Sequence, residues 1–393
     1  MSIALNVITG FLGRARPACS RACCRAKPGD TALLINEFGD VGIDHLLVEE
    51  VAPDTVLLPG RVHIGLDEHM SIALNVITGF LGSGKTSLLT RLLQGESLGD
   101  TALLINEFGD VGIDHLLVEE VVPDTVLLSG GCVCCSIRGE LKDALLSLLQ
   151  RRERGEIPAF KRVILETTGL ADPAPILATL NNDVQLRGRV HIGLVITLVD
   201  ASHAALQERL HPEWLAQVAA ADRLLLSKTD LVDDCTPLRL HLQALNAGTP
   251  ILDSRDIHSG DQLLLGAGLR SAEPAAEVRR WQLHRTTTAR HGAAQVCCLS
   301  FDRPLDWVGF GVWLSMLLRC HGERILRVKG LLNVNASSAP IVIHGVQHCL
   351  HAPVHLPAWP GSDRQSRLVF ILRGLDPVLL RRSFEAFSRR FAA

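Results

Sequence analysis

Gly79-Phe-Leu-Gly-Ser-Gly-Lys85-Thr86 decides the fold. It fits the pattern G-x-x-x-x-G-K-[ST], and its setting matters as much as its letters. The run before it, Ile72–Thr78, is short, apolar and β-branched, which predicts a buried strand. The run after it, Thr86–Gln94, repeats at helical spacing. A glycine-rich turn between a strand and a helix lets backbone N–H groups converge on phosphate, and the helix N-terminus adds its dipole. Gly79, Gly82, Ser83, Gly84, Lys85, Thr86 and Ser87 are therefore the candidate phosphate-binding residues. Lys85 is expected at the β- and γ-phosphates, and the Thr86 hydroxyl on Mg²⁺. Lysine is scarce in this chain, 6 against 33 arginines, so its place in this loop is unlikely to be chance.

Further runs extend the pattern. Thr101–Ile105, Thr125–Leu128, Val163–Leu165, Ile192–Val199 and Leu224–Leu226 read as strands, with helical segments such as Arg138–Arg152 between them. Strands alternating with helices predict an α/β fold with a doubly wound, mostly parallel sheet. Ser271-Ala-Glu-Pro-Ala-Ala-Glu reads as a linker. Beyond it, strands at Ala294–Phe301, Ile325–Lys329, Ile341–Val346 and Leu368–Leu372 and helices at Phe310–Leu318 and Pro377–Phe391 predict a smaller α+β domain. The expected division is a nucleotide-binding domain over 70–270 and a carboxyl-terminal domain over 280–393.

Two strand ends carry more chemistry. Ser227-Lys228-Thr-Asp230 follows Leu224–Leu226, where a carboxylate can accept from guanine N1–H and the 2-amino group. Adenine offers neither donor, so this points to GTP. Val163-Ile-Leu-Glu166-Thr-Thr-Gly169 ends a strand on a carboxylate. Glu166 is placed to act on Mg²⁺ or its water, and the Gly169 amide to meet the γ-phosphate. Lys85, Thr86 and Glu166 are the candidate catalytic residues. Asn106-Glu107-Phe-Gly-Asp110-Val-Gly-Ile-Asp114 is acidic and glycine-hinged, and lies where a nucleotide-sensing loop belongs.

Gly130-Gly-Cys132-Val-Cys134-Cys135 places three thiols within four residues after two glycines. Thiolates suit Zn²⁺, Cu⁺ or iron–sulfur clusters. Three ligands leave the fourth tetrahedral position of a zinc site open, and an open site can pass its ion on. Glu107 is a candidate oxygen ligand for that position. Buried structural thiols or a redox pair remain the alternatives. In the second domain His344, His348, Cys349, His351 and His355 are dense in ligand types; an edge or loop cluster is the simpler reading, an auxiliary metal site the other. Cys297 and Cys298 sit in an expected strand and read as core thiols.

Residues 1–69 read differently. Residues 1–13 repeat 70–82, and 30–58 repeat 100–128 with one change, Ala52 for Val122. Structural repeats keep a pattern rather than a text. Between the matched blocks the copies diverge: Arg14–Lys27 stands opposite Ser83–Glu96. One set of codons for Ser83–Ser97, read one nucleotide later, yields all fourteen residues from Arg14 to Lys27 with no stop. Residues 1–69 are thus expected to be a frameshifted, truncated duplicate, with the natural start at Met70. Cys19, Cys23 and Cys24 then carry no metal chemistry, and that copy lacks the phosphate-loop lysine.

Composition bounds the rest. The 393 residues are 47% apolar and 21% charged, with a net charge of -3 from 39 basic and 42 acidic side chains. That charge gives no case for nucleic acid or an anionic membrane. No run approaches the ~20 apolar residues a membrane span needs, and no secretory leader is expected. Eleven cysteines, several adjacent, point to metal or redox chemistry in a reducing compartment.

Taken in this order, the motifs resemble the CobW-type metal-chaperone GTPases, including that family's zinc chaperones. The matching text is Thr78-Gly-Phe-Leu-Gly-Ser-Gly-Lys-Thr86, Asn106-Glu-Phe-Gly-Asp110, Ser129-Gly-Gly-Cys-Val-Cys-Cys-Ser136, Glu166-Thr-Thr-Gly-Leu-Ala-Asp-Pro173 and Ser227-Lys-Thr-Asp230. Arg327-Val-Lys-Gly-Leu331 and Gly345-Val-Gln-His348 look like the family's second domain. The resemblance covers about 70–393. It implies a cytoplasmic P-loop GTPase that holds zinc on Cys132, Cys134 and Cys135 and releases it to client metalloproteins on GTP hydrolysis. A cobalt-handling factor for cobalamin synthesis and a plain regulatory GTPase with structural thiols are the competing readings, and the oligomeric state is left open. The long histidine-rich tract of some members is absent, and residues 1–69 have no counterpart in the family.

Overall fold

The computed structural model describes residues 33–35, 57–59, 71–93, 98, 100–105, 137–264, 278, 289–291, 294–335 and 337–391. The chain divides into two compact units, Met1–Met70 and Ser71–Ala393. In the first, strand β1 (Leu33–Ile35) pairs in parallel with β2 (Leu57–Pro59).

The second unit is built on a six-stranded parallel sheet. Its strands are β3 (Ile72–Gly79), β4 (Thr101–Ile105), β5 (Arg162–Glu166), β6 (Val190–Asp200), β7 (Arg223–Ser227) and β8 (Ile251–Asp253). Their spatial order is β4-β5-β3-β6-β7-β8, and every pairing is parallel. The sequence reading placed five of these strands within one or two residues at each end; β8 it did not mark. The expected strand Thr125–Leu128 lies outside the described residues.

Both faces of this sheet are covered, which is why its strands read as continuous apolar runs. Ile72, Leu74, Val76, Ala102, Leu104, Val163 and Leu165 point to one side. They share a cluster with Leu145, Leu148 and Leu149 of α2 (Ile137–Glu153) and Ile176, Leu177 and Leu180 of α3 (Pro173–Asn182). Ile77, Leu103, Ile105, Ile164 and Ile196 point to the other side. They pack on Leu88, Leu89 and Leu92 of α1 (Lys85–Leu93). Helices α4 (Ala204–Leu210), α5 (Pro212–Ala220) and α6 (Thr236–Leu245) follow β6 and β7.

A second sheet of seven strands follows a short helix α7 (Gly260–Leu264). Strands β9 (Ala289–His291), β10 (Ala294–Phe301), β11 (Ile325–Leu332), β12 (Ile341–Val346), β13 (Cys349–Leu350), β14 (Val354–His355) and β15 (Ser366–Arg373) run in the order β13-β12-β11-β15-β10-β9, with β14 on β12. All pairings are antiparallel. Helices α8 (Trp307–His321) and α9 (Pro377–Phe391) pack through an aromatic cluster, with Trp313 against Phe384 at 4.8 Å and Phe370 at 6.4 Å between ring centroids. The fold is therefore the expected α/β sheet followed by a smaller α+β module.

The two sheets meet through a buried polar seam. Arg327 of β11, only 1% exposed, donates to the Ala220 carbonyl and to Asp222 Oδ1. Asp222 Oδ2 accepts from Val195 N of β6 at 3.0 Å. Lys329 Nζ donates to Thr249 Oγ1 at 3.2 Å. A buried guanidinium is tolerated only when paired in this way.

Candidate nucleotide site

Strand β3 lies at the centre of the sheet. The chain passes from it to β5 and β4 on one side and to β6, β7 and β8 on the other. The crevice at such a switch point, outside the carboxyl ends of the strands, is where ligands bind. The loop after β3 occupies it.

That loop needs its glycines. Gly79, Gly82 and Gly84 have φ of 145°, 71° and 87°, conformations that L side chains rarely adopt. A Cβ on Gly79 would also lie 2.5 Å from the Leu198 carbonyl oxygen. Around Gly82 and Gly84 there is open space. Ser83 N donates to Phe80 O at 3.1 Å, closing the turn, and Ser83 Oγ is buried with no protein partner. Lys85 is 8% exposed, and its Nζ donates to Gly79 O at 2.9 Å and Phe80 O at 3.3 Å. The ammonium is thus held inside the loop. Backbone amides, a helix N-terminus and a fixed cation around open space fit a polyphosphate.

Thr86 Oγ1 donates to Glu166 Oε1 at 2.8 Å. This joins the first turn of α1 to the end of β5 and places a hydroxyl and a carboxylate oxygen side by side. An oxygen pair of this kind fits a hard divalent cation such as Mg²⁺.

The segment after Glu166 is fixed at several points. Thr167 N donates to Ile77 O at 2.9 Å, and Thr167 Oγ1 to Thr78 Oγ1 at 2.9 Å. A Cβ on Gly169 would lie 2.5 Å from Leu81 N and 2.6 Å from its Cα. Only glycine lets this turn touch the phosphate loop. Gln217 of α5, fully buried, donates from Nε2 to the carbonyls of Gly169 and Ala171, both at 3.0 Å.

Ser227, Lys228 and Asp230 gather at the end of β7. Lys228 holds φ of 54°, the left-handed region, which turns the chain sharply into a 3₁₀ turn at Thr229–Leu231. Its Nζ donates to Asp200 Oδ2 at 2.7 Å, and Ser202 Oγ donates to Asp200 Oδ1 at 2.6 Å. Burial pushes the Asp200 carboxyl up, but the bonds from Lys228 and Ser202 outweigh it and hold the group below the ordinary carboxylate range. Thr229 Oγ1 donates to Asp253 Oδ2 at 2.6 Å. Burial again acts upward on Asp253, yet Arg255 and Thr229 bring it down to about 2. Asp230 is exposed at the tip. The sequence reading missed Asp200, Asp253 and Gln217, which act only through the tertiary contacts of single side chains.

Cys132, Cys134, Cys135 and Glu107 lie outside the described residues. Among the described residues no group of three or more His, Cys, Asp or Glu side chains could hold a metal ion. His344 is buried on β12 with its ring 4.6 Å from that of His351, while His355 is exposed on β14. Cys297 and Cys349 are buried thiols, pushed up by burial to about 11 and about 12. Among the described residues no helix is long and apolar enough to cross a membrane.

A doubly wound sheet with this loop at its switch point defines a P-loop nucleotide-binding protein. Residues 73–253 match the family described as CobW/HypB/UreG, nucleotide-binding domain, and residues 294–388 match the cobalamin synthesis protein cobW C-terminal domain. The zinc chaperone YjiA of Escherichia coli is 33% identical over 302 residues, covering 76% of this chain and 93% of that protein. The zinc chaperone CobW of a Sinorhizobium species is 26% identical over 350 residues, covering 80% and 97%. The crystal structure of Zn(II)-bound YjiA GTPase from E. coli superposes with a TM-score of 0.61 at 28% identity, covering 81% of this chain and 99% of that one. The chain belongs to the CobW family of P-loop GTPases.

Proposed function

We propose that this chain binds GTP with Mg²⁺, hydrolyses it, and uses the cycle to hand zinc from Cys132, Cys134 and Cys135 to client metalloproteins. The observation that carries the nucleotide half is the convergence of four strand ends on one sheet edge. Gly79 of β3 pairs with Leu198 of β6, Ile77 with Glu166 of β5, and Asp200 of β6 with Ser227 of β7. Lys85, Glu166, Gly169 and Asp230 therefore serve one ligand.

Each residue then has a role. Backbone amides over Gly82–Thr86 cradle the phosphates, and Lys85 neutralises the β- and γ-phosphates. Thr86 and Glu166 hold Mg²⁺, which supplies the charge that stabilises the transferring phosphoryl group. Gly169 presents its amide to the γ-phosphate across its contact with Leu81. Asp230 accepts from guanine, while Lys228 is fixed beside the base by Asp200.

Support for zinc as cargo comes from the thiol triplet and from the names of the relatives, two of which are zinc chaperones. Three thiolates bind zinc while leaving a position through which a client ligand can enter. A reducing cytoplasm suits such thiols. Residues 1–69 are read as a frameshifted duplicate with no part in this cycle, leaving the GTPase domain over 70–270 and the carboxyl-terminal domain over 280–393. The test is the metal content of purified full-length protein together with its GTP turnover. The proposal requires one exchangeable zinc per chain and Mg²⁺-dependent phosphate release. Turnover without exchangeable metal would leave a GTPase with structural thiols.

A further inference from the structure

The turn between β12 and β13 reaches the segment that follows Gly169. Gln347 Nε2 donates to Asp172 Oδ2 at 2.7 Å. Asp172 lies three residues after Gly169, and its other oxygen caps α3, accepting from Ala174 N at 2.9 Å. One carboxylate thus ties together the helix start, the Gly169 turn and the second sheet.

This contact is more than packing. The turn is already anchored to α3 without Gln347. Val346 and Cys349 join the buried cluster that contains Ile176, Leu177 and Leu180, and Asn181 Nδ2 donates to Leu350 O at 3.1 Å. Gln347 itself holds φ of 49°, a left-handed conformation in which glycine would be easier. The two-residue hairpin that joins Val346 to Cys349 requires a positive φ at its first loop position. The hairpin so turned brings the Gln347 amide to Asp172.

The segment it meets has very little freedom elsewhere. Ala171 N donates to Thr168 O at 3.1 Å, and Gln217 holds the carbonyls of Gly169 and Ala171. Gly169 rests on the backbone of Leu81. A shift at Asp172 therefore moves Gly169 against the phosphate loop.

We propose that Gln347 is a positioning residue, through which the carboxyl-terminal sheet sets the Gly169 turn for the γ-phosphate and so couples that module to GTP turnover. The proposal rests on the GTPase reading above. The coupling runs both ways, so a ligand that displaces the β12–β13 turn changes affinity for γ-phosphate nucleotides.

The test is a double-variant cycle in the full chain, reading single-turnover GTP hydrolysis and the affinities for GDP and a non-hydrolysable GTP analogue. Gln347→Glu sets two carboxylates against each other. It is expected to slow hydrolysis about ten-fold and to weaken the GTP analogue, with GDP affinity unchanged, since a hydrogen bond to a charged group is at stake. Asp172→Asn combined with Gln347→Glu reverses the bond: the new amide donates to the new carboxylate, and the amide oxygen still caps α3. Hydrolysis should return close to the wild-type rate. If Gln347→Glu fails to fold, Gln347→Ala removes the contact without adding charge and should slow hydrolysis a few-fold. Unchanged hydrolysis in the single variants, or no recovery in the double variant, would overturn the positioning role while leaving the GTPase intact. Absence of turnover in the wild-type chain would instead defeat the GTPase reading, and this proposal with it.

Discussion

Thr86 Oγ1 and Glu166 Oε1 share a 2.8 Å hydrogen bond across 80 residues of sequence. One belongs to the helix that follows the phosphate loop, the other to the end of a neighbouring strand. In the proposed cycle this pair holds Mg²⁺. Glu166→Gln preserves the shape and an acceptor but removes the charge. The Mg²⁺ concentration needed for half-maximal GTP hydrolysis should rise about 10- to 100-fold, the range seen when the surroundings of a bound metal are altered. GDP binding without Mg²⁺ should be unchanged. A magnesium titration of phosphate release checks this, and an unaltered midpoint would remove Glu166 from the metal site.

Asp230 stands exposed at the tip of a turn held by Lys228–Asp200 and Thr229–Asp253. In the proposed site, Asp230→Asn replaces the acceptor for guanine's two donors. GTP preference over ATP should fall roughly 5- to 150-fold, the cost of leaving a donor unmet at about 1–3 kcal/mol. Competition between the two nucleotides for a fluorescent GDP analogue measures it. Unchanged selectivity would count against the guanine assignment.

His344 gives the module interface a pH dependence. Burial holds it well below the ordinary histidine value, and Arg327, His351 and Lys329 act in the same direction. Asp222 Oδ1 lies 3.7 Å from its Nε2. The folded state therefore keeps His344 neutral where the unfolded chain takes up a proton. Stability contributed by the neutral ring is present above about pH 6.5 and lost as pH falls below it, by about 1.4 kcal/mol per pH unit. His241 has the opposite sign: its bond to Glu208 raises it, and that contribution is lost as pH rises. Between pH 7 and 5.5 the melting temperature of His344→Gln should fall less than that of the wild type. Parallel losses would show that His344 does not control the seam.

The sequence disclosed the fold where apolar runs were unambiguous. Ile72–Gly79 and Thr101–Ile105 lie between two covered faces, so apolar residues dominate both runs. Ile251–Asp253 is a three-residue edge strand with all its residues half-buried, too short for any period to appear. The phosphate loop, Glu166 and the Ser227–Asp230 turn were legible because their chemistry lies in consecutive residues. Asp200, Gln217, Asp253 and Gln347 were not. Each is an ordinary polar residue whose partner lies 24 to 175 residues away. Only the folded chain brings them to the site.

Deleting residues 1–69 should preserve or improve soluble yield and leave GTP turnover per folded chain unchanged. That segment repeats the phosphate-loop strand without Lys85 and Thr86. Its apolar runs would otherwise compete with their twins for one place in the sheet. Expression of 70–393 and a turnover assay test this. Loss of folding on deletion would make the segment integral.

The central claim is that nucleotide state governs the grip on zinc. In sequence, Asn106–Asp114 follows β4 directly and Cys132–Cys135 stands just before α2. In the proposed cycle, γ-phosphate and Mg²⁺ act on the thiolates through Asn106–Asp114, with Glu107 adding or withdrawing a ligand. The decisive measurement is Zn²⁺ affinity by competition with a chelating dye, at fixed pH, with GDP and with a non-hydrolysable GTP analogue. The two affinities should differ by about 5- to 150-fold, and Cys134→Ala should abolish the difference. Equal affinities in the two nucleotide states would contradict the chaperone mechanism.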